Sequence, residues 1–399
     1  MIDARAARND PEEFRRRLAR KGAADRFDQL LTADERWREL IPQIDDLRAR
    51  QKIKGKPTPE QLEELNNIKT ELTRAEALLK QAADQRDSML ALIPNPPADD
   101  VPDGATEDDV RVERVVGDPP SLSEPKESLE LGCFDMDRAA RMSGARFGYW
   151  IGDTGRLALA LYRYALERLA AKGFVTVLPP VLVRKEALEG TGALPSDEQS
   201  IYKVPADELY LAGTAEIPLA SLHAGEVLDS EMLPRRYVAF SPCFRREAGA
   251  AGKDTRGMFR VHQFNKVEQF SLTFPDASWD EHEYLLANTE ELVRELGVPY
   301  RVVVLPAGDM SAASAKTYDV EIWFPSQDRY RETASISNTT DFQARQLEIR
   351  YRNGKSPEPL HMLNGTAVVD RMALAILENF QGEVPDVLRE YGAPERVTP

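Results

Sequence analysis

Apolar residues return on a heptad spacing early in the chain. Leu30, Trp37 and Ile44 lie seven apart, with Leu40 and Leu47 between them. That spacing predicts one long helix over residues 27–54 with an apolar seam along one side. Pro42 falls inside it and should remove a hydrogen bond or kink the helix. The run Gly55-Lys56-Pro57-Thr58-Pro59 is a break; Thr58 suits an N-cap and Pro59 the first helical position. A second seam follows through Leu65, Ile68, Leu72, Ala75, Leu79, Ala82, Met89 and Ile93. Two such helices joined by a short turn must run antiparallel, giving a hairpin over about 27–93. The charged off-seam faces favour a protruding arm over a pair packed into a core.

After residue 94 the pattern changes. Residues 94–109 are rich in Pro and Asp and read as a linker. A helical stretch at 155–172 precedes an apolar run at 174–183 containing Pro179 and Pro180. Strand-like runs lie at 237–244, 263–270, 300–304 and 318–324, and a last helix at 368–380. Few of these strands are separated by helices of crossover length, so the expected fold is α+β: an antiparallel or mixed sheet with helices packed on it.

Composition narrows the function classes. The net charge of −15 argues against indiscriminate nucleic-acid binding but leaves room for a local contact. Residues 1–100 are near neutral, with 19 basic and 20 acidic residues, so the deficit sits in the rest. Arg48, Arg50, Lys52, Lys54 and Lys56 crowd one turn of the arm, which fits a phosphate contact and fits equally a solvated helix end. No apolar run approaches a membrane span, and the first residues have no secretory pattern. Cys133 and Cys243 stand far apart, which predicts no disulfide framework and a reducing, cytoplasmic setting. Cys243 lies in a strand-like run and reads as a buried thiol.

The densest chemistry runs from Phe244 to Glu268, where strand-like ends flank a Gly-rich polar middle carrying several arginines. Converging guanidinium groups suit a polyphosphate, whose oxygens they can grip bidentately, and Phe264 offers a face for a nucleobase. A solvated basic loop with Phe264 in the core has the same spacing. Gly252-Lys253 is not a P-loop, because Glu247 and Asp254 stand where that motif needs Gly and Ser or Thr. His223, His262, His282 and His361 show no metal spacing and read as structural.

Phe244-Arg245-Arg246-Glu247, Asp254-Thr255-Arg256-Gly257, His262-Gln263-Phe264 and Val267-Glu268 together resemble motif 2 of class II aminoacyl-tRNA synthetases in its seryl form. Residues 173–183, with Pro180, are similar to motif 1. Thr214-Ala215-Glu216, Lys316-Thr317-Tyr318-Asp319-Val320-Glu321 and Asp341-Phe342-Gln343-Ala344-Arg345 resemble further seryl elements. Leu363-Asn364-Gly365-Thr366 with Arg371 and Glu378-Asn379 resembles motif 3, and Arg8-Asn9-Asp10-Pro11 matches at the N-terminus. Departures are Thr333-Ala334-Ser335-Ile336-Ser337-Asn338 in place of the usual Ser-Ser-Cys-Ser-Asn, Pro306-Ala307-Gly308-Asp309 without the usual cysteine, and Thr366-Ala367 in motif 3.

The resemblance implies a class II synthetase-like antiparallel sheet flanked by helices, with residues 1–105 as a tRNA-binding domain and 106–399 as the catalytic domain. It implies activation of L-serine with ATP and transfer to the 3′ end of serine tRNA, gripped by the arm, in a homodimer joined through motif 1. Arg245, Arg260 and Arg371 would be the catalytic arginines. Thr214, Ala215, Glu216, Arg245, Glu268 and Thr366 would bind serine. ATP would meet Arg245, Arg246, Glu247, Arg260, Val261, Phe264, Glu332, Thr333, Ala334, Ser335 and Arg371, with Glu332 and Ser335 holding Mg²⁺. A paralogue that passes an activated amino acid to a carrier protein or a biosynthetic pathway is the alternative, and an inactive RNA-binding protein a third. The arm argues against the second reading, and the retained arginines against the third.

Overall fold

A computed structural model describes residues 1–52, 57–248, 257–354 and 356–399. The expected break at Gly55-Lys56, the basic residues Lys54 and Lys56, and the loop centre with Gly252, Lys253, Asp254, Thr255 and Arg256 lie outside the described residues. The chain divides into two compact units, Met1–Pro96 and Pro97–Pro399.

The first unit is helical: α1 (Ala4–Asn9), α2 (Pro11–Ala19), α3 (Ala24–Arg50) and α4 (Pro59–Leu90). The motif at residues 8–11 explains its start. Asp10 caps α2 by accepting from Glu13 N, and Pro11 takes the first helical turn, where its missing N–H costs nothing. Arg8 reaches Asp34 of α3, with Nη1 3.0 and 3.2 Å from the two carboxylate oxygens. Thr58 and Gln61 cap α4 reciprocally, as the sequence suggests. Arg48 meets Glu76, Arg86 lies over Trp37 and Arg26 meets the Leu92 carbonyl, so the partner's number falls as one climbs α3 and the pair is antiparallel. Leu30, Ile44, Ile68 and Ala82 on the seams are buried, while most off-seam positions are exposed, Asp34 being an exception. The helix expected at 27–54 begins three residues earlier and ends at Arg50. It also continues through Pro42, whose exposed position leaves the loss of its N–H on the solvent side.

In the second unit, eight strands among the described residues form one sheet. In chain order they are β1 (Arg111–Val116), β2 (Val175–Val177), β3 (Arg235–Phe244), β4 (Gln263–Thr273), β5 (Tyr300–Val304), β6 (Lys316–Phe324), β7 (Arg329–Asn338) and β8 (His361–Val369). Their spatial order is β1-β5-β6-β7-β8-β4-β3-β2. Every neighbouring pair is antiparallel except β2 with β3 at one edge. Helices α5 (Asp153–Ala171), α7 (Ser278–Leu296) and α9 (Asp370–Phe380) pack with one face of the sheet into the main core, around Leu157, Leu285, Val320, Ile336, Leu363 and Ile376. Short helices α6 (Glu216–Ala220) and α8 (Phe342–Gln346) carry site residues.

The expected linker at 94–109 is not loose once it enters this unit. Ala98 and Val101 pack with Ala307 and Met310. Backbone bonds run from Ala98 N to Ala315 O (2.8 Å) and from Ala307 N to Pro102 O (2.9 Å). The sequence pattern missed β7 for a physical reason. One of its faces is polar because it lines a cavity, so simple apolar alternation is hidden.

Candidate active site

Strand alternation builds the site. On β4, Phe264, Lys266 and Glu268 are two residues apart and all line one cavity of about 220 Å³, while Val267 turns into the core. On β8, Asn364 and Thr366 line it while Leu363 and Ala367 are core. On β7, Glu332, Thr333, Ser335 and Ser337 line it, a register shift against β6 between Val320 and Glu321 letting two consecutive residues do so. Thr214 and Glu216 enter at the start of α6, and Arg371 from the first turn of α9. A second cavity, about 390 Å³, shares Thr214, Glu216, Arg245 and Glu247 with the first and extends past Gly192 and Ser200.

Most of the expected site residues therefore converge: Thr214, Glu216, Arg245, Glu247, Arg260, Val261, Phe264, Glu268, Glu332, Thr333, Ser335, Thr366 and Arg371 line the cavity. Ala215 is buried beneath it in a separate cluster. Ala334 alternates into the main core, and Arg246 is exposed, its backbone N–H donating to Ser200 O at 2.9 Å. Cys243 is buried, as expected, and burial raises its thiol. His262 ties the ends of the β3–β4 connection: Arg245 N donates to its carbonyl at 2.9 Å, and its Nδ1 lies 3.0 Å from the Arg245 carbonyl.

One set of lining groups is cationic and aromatic. The Arg245 guanidinium lies 5.5 Å from the Phe264 ring centroid. Arg260 Nε is buried and makes no hydrogen bond among the described residues, although Glu247 Oε2 is 3.3 Å away. Arg371 Nε donates to Phe259 O at 3.1 Å, and its Nη1 donates to Glu332 Oε2 at 3.1 Å. Desolvation among its neighbours works against an ionised Glu332, but its side chain is half exposed, and Arg371, Arg245 and Arg260 outweigh that effect and hold the carboxyl below its usual value. Beside it Asp319 is buried, and its Oδ1 has no hydrogen-bond partner among the described residues. Burial, then the charge of Glu332, pushes Asp319 well above the ordinary carboxylate range. Ser335 lies opposite Asp319 on the neighbouring strand. These oxygen donors fit a hard divalent cation completed by substrate oxygens. Among the described residues no cluster of three or more His, Cys, Asp or Glu forms a closed metal site.

Two further lining groups are the carboxylates Glu216 and Glu268. Glu268 is 1% exposed and ion-paired with Lys266, and Thr214 Oγ1 donates to it at 3.5 Å. Burial raises its pKa against the pull of Lys266 and Arg245. Glu216 accepts from Gln343 Nε2 at 2.7 Å; burial and the charge of Glu268 push its carboxyl up to about 7. At the root of α9, Asp370 accepts from Asn265 N (3.0 Å) and from the Tyr162 hydroxyl, and burial pushes it up to about 6.

The sequence reading missed Lys266, Asp319 and Asp370 as parts of the site and gave Gln343 no role. Lys266 had a usable signal, since residue 266 must share the strand face of 264 and 268. The others depend on partners far away in sequence.

Two family models match the chain. Residues 1–97 match the seryl-tRNA synthetase N-terminal domain, and residues 202–380 the class II tRNA synthetase core domain (G, H, P, S and T). The serine–tRNA ligase of Thermobifida fusca is 44% identical, covering 98% of this chain and 97% of that protein. Seryl-tRNA synthetase from Pyrococcus horikoshii, solved with ATP, superposes with a TM-score of 0.95 at 39% identity and full coverage of both chains. Cytoplasmic serine–tRNA ligase from Naegleria fowleri, solved with AMP, gives 0.89 at 33% identity, covering 98% of this chain and 96% of that one. With the heptad arm, the antiparallel sheet and the convergent motif residues, this likeness along the whole length means that the chain belongs to the seryl-tRNA synthetase family.

Proposed function

We propose that the chain carries out its family's two-step reaction as a serine–tRNA ligase. The serine carboxylate attacks the α-phosphorus of ATP, pyrophosphate leaves, and seryl-adenylate forms. A terminal ribose hydroxyl of serine tRNA then attacks the activated carbonyl, and AMP leaves. The observation that carries this reading is one cavity lined both by arginines with Phe264 and by the Glu216–Glu268 pair. The two sets of groups suit a nucleotide and a small hydroxylated ammonium compound.

Arg245 lies beside Phe264 and its charge acts on Glu216, Glu268 and Glu332 alike, so it is suited to hold the serine carboxylate and the α-phosphate together, and reaction is a matter of alignment. Arg260 has a buried N–H to give, and with Arg371 takes the outer phosphates. Phe264 stacks the adenine ring and Glu247 accepts from its amino group. Glu332 and Ser335 would hold Mg²⁺, with the buried Asp319 carboxyl, its Oδ1 unmet among the described residues, as a further oxygen behind them; the cation would supply charge neutralisation on the phosphates. Thr214, Glu216, Glu268 and Thr366 receive the amino and hydroxyl groups of serine.

The arm, α3 and α4, contacts the tRNA mainly through phosphates. Arg48 is drawn off by Glu76 and Arg50 by Asp46 (3.8 Å), so part of the basic turn is neutralised within the arm itself. The expected boundary between the tRNA-binding part (1–105) and the catalytic part (106–399) lies past the division of the two compact units at Pro96, so residues 97–105 go with the catalytic part. The homodimer joins through the edge strand β2 and its surroundings, where Leu159, Val175, Leu178 and Leu182 are exposed, Leu178 to 78%. The site of action is the cytoplasm; no helix among the described residues is long and apolar enough to cross a membrane.

The test against the carrier-protein alternative is transfer. Incubation with ATP, labelled serine and a serine tRNA transcript should give label at the tRNA 3′ end, lost when the arm is removed. Labelled adenylate with no transfer to tRNA would reject this reading.

A further inference from the structure

The two carboxylates of the proposed serine pocket have differently charged neighbours. Glu268 is paired with the ammonium of Lys266, itself buried, so that pair is neutral. Glu216 is met by an amide, which adds no charge. Gln343 is fully buried, and both of its Nε2 hydrogens are spent: one on Glu216 Oε1 (2.7 Å), one on the Thr191 carbonyl (3.1 Å). Turned over, the amide would set its oxygen against the Glu216 carboxylate and the Thr191 carbonyl, so those two acceptors fix its orientation. Thr191 in turn ends a helix packed against α8, which anchors the amide to the wall of the second cavity.

We propose that Lys266 and Gln343 are positioning residues that give two similar carboxylates different jobs. The inference rests on the serine-pocket reading above. Lys266 cancels the charge of Glu268 and leaves it a hydrogen-bond acceptor for a hydroxyl, with little pull on an ammonium. Gln343 orients Glu216 without cancelling its charge, so Glu216 is the seat for the ammonium. A site arranged in this way rejects a ligand lacking the hydroxyl because the Glu268 oxygen is then left unmet. It rejects one lacking the amine because Glu216 keeps an uncompensated charge.

The test uses full-length enzyme, ATP–pyrophosphate exchange with serine, and two competitive inhibitors. L-alanine has the amine and no hydroxyl; 3-hydroxypropanoate has the hydroxyl and no amine. Gln343→Met, close in shape and without the donor, should raise the inhibition constant of alanine by about tenfold and leave that of 3-hydroxypropanoate within about twofold. Lys266→Met should do the reverse. The pH at which kcat/KM for serine is half-maximal should also move upward in Gln343→Met, because the ionised carboxylate loses a donor. An unchanged KM for ATP shows that each variant is folded; if Gln343→Met is not, Gln343→Asn and Lys266→Gln serve with the same expected directions. Equal changes in both inhibitors, or none in either, would overturn the division of labour. If neither compound competes with serine in the unmodified enzyme, the pocket reading fails first.

Discussion

Arg371 donates through one nitrogen to both the backbone carbonyl (3.2 Å) and the carboxylate (3.1 Å) of Glu332, joining the start of α9 to β7. Its Nε holds the Phe259 carbonyl (3.1 Å), and its guanidinium lies 4.6 Å from the Phe259 ring. One residue thus ties the proposed metal carboxylate to the end of the β3–β4 connection, and is itself the proposed cation for the outer phosphates. Arg371→Met should lower kcat/KM for ATP by about 10²-fold or more, the usual scale for losing a donor aimed at developing charge. KM for serine should move less than about threefold. Exchange kinetics with each substrate varied in turn would show this, and a larger effect on serine than on ATP would be inconsistent with the assigned position.

Phe264 shares its strand face with Lys266 and Glu268 and lies beside Arg245, where the adenine ring is proposed to stack. Phe264→Leu keeps apolar bulk and removes the flat π surface. KM for ATP should rise about tenfold, in line with roughly 1–3 kcal/mol for base stacking on an aromatic ring. Fluorescence titration with a nucleotide analogue would measure the same loss directly.

Glu216 gives the reaction a pH signature. Its carboxyl is raised from 4.5 to about 7 by burial and by Glu268. Below that value it is protonated and cannot hold an ammonium charge, so kcat/KM for serine should climb about tenfold per unit up to about pH 7 and level off above it. Glu216→Gln should be low and flat through the same window. Stability runs the other way. Because the folded state holds this proton more tightly than the unfolded chain, stability from this group is present at low pH and is lost as pH rises from 4.5 through about 7.

In the helical unit, Asp34 is 3% exposed and bridges Arg8 and Arg38, each with a nitrogen at 3.0 Å. Asp34→Ala leaves two arginines facing each other without their common anion. Both keep some access to water, so the expected loss is about 2 kcal/mol, below the 3–5 of a fully buried pair. Urea unfolding followed by tryptophan fluorescence of Trp37 should report it, while serine exchange stays near normal.

Much of this was legible in the sequence where one face of an element meets water. The arm was, because its seam and charged faces alternate over many turns. Strand β3 was, because Tyr237, Val238, Ala239 and Phe240 are apolar in a row; β4 has no such run and was marked by Phe264, Val267 and Phe270 among polar residues. β7 was not: Glu332, Thr333, Ser335 and Ser337 line the cavity and break the apolar pattern that marks a strand. The cavity itself was legible through motifs, with two exceptions of geometry. Ala334 sits between two lining residues in sequence and turns to the core, and Arg246 follows Arg245 yet points away from the cavity. Gln343 stood in a recognisable segment, but its hydrogen bond to Glu216 spans 127 residues, a link that no local pattern reveals.

The most direct measurement is ATP–pyrophosphate exchange by the full chain with each of the twenty amino acids. Serine should support exchange by a wide margin, and Glu268→Ala should abolish it without unfolding the protein. Exchange driven by a different amino acid, or near-normal serine exchange in Glu268→Ala, would contradict the serine pocket described above.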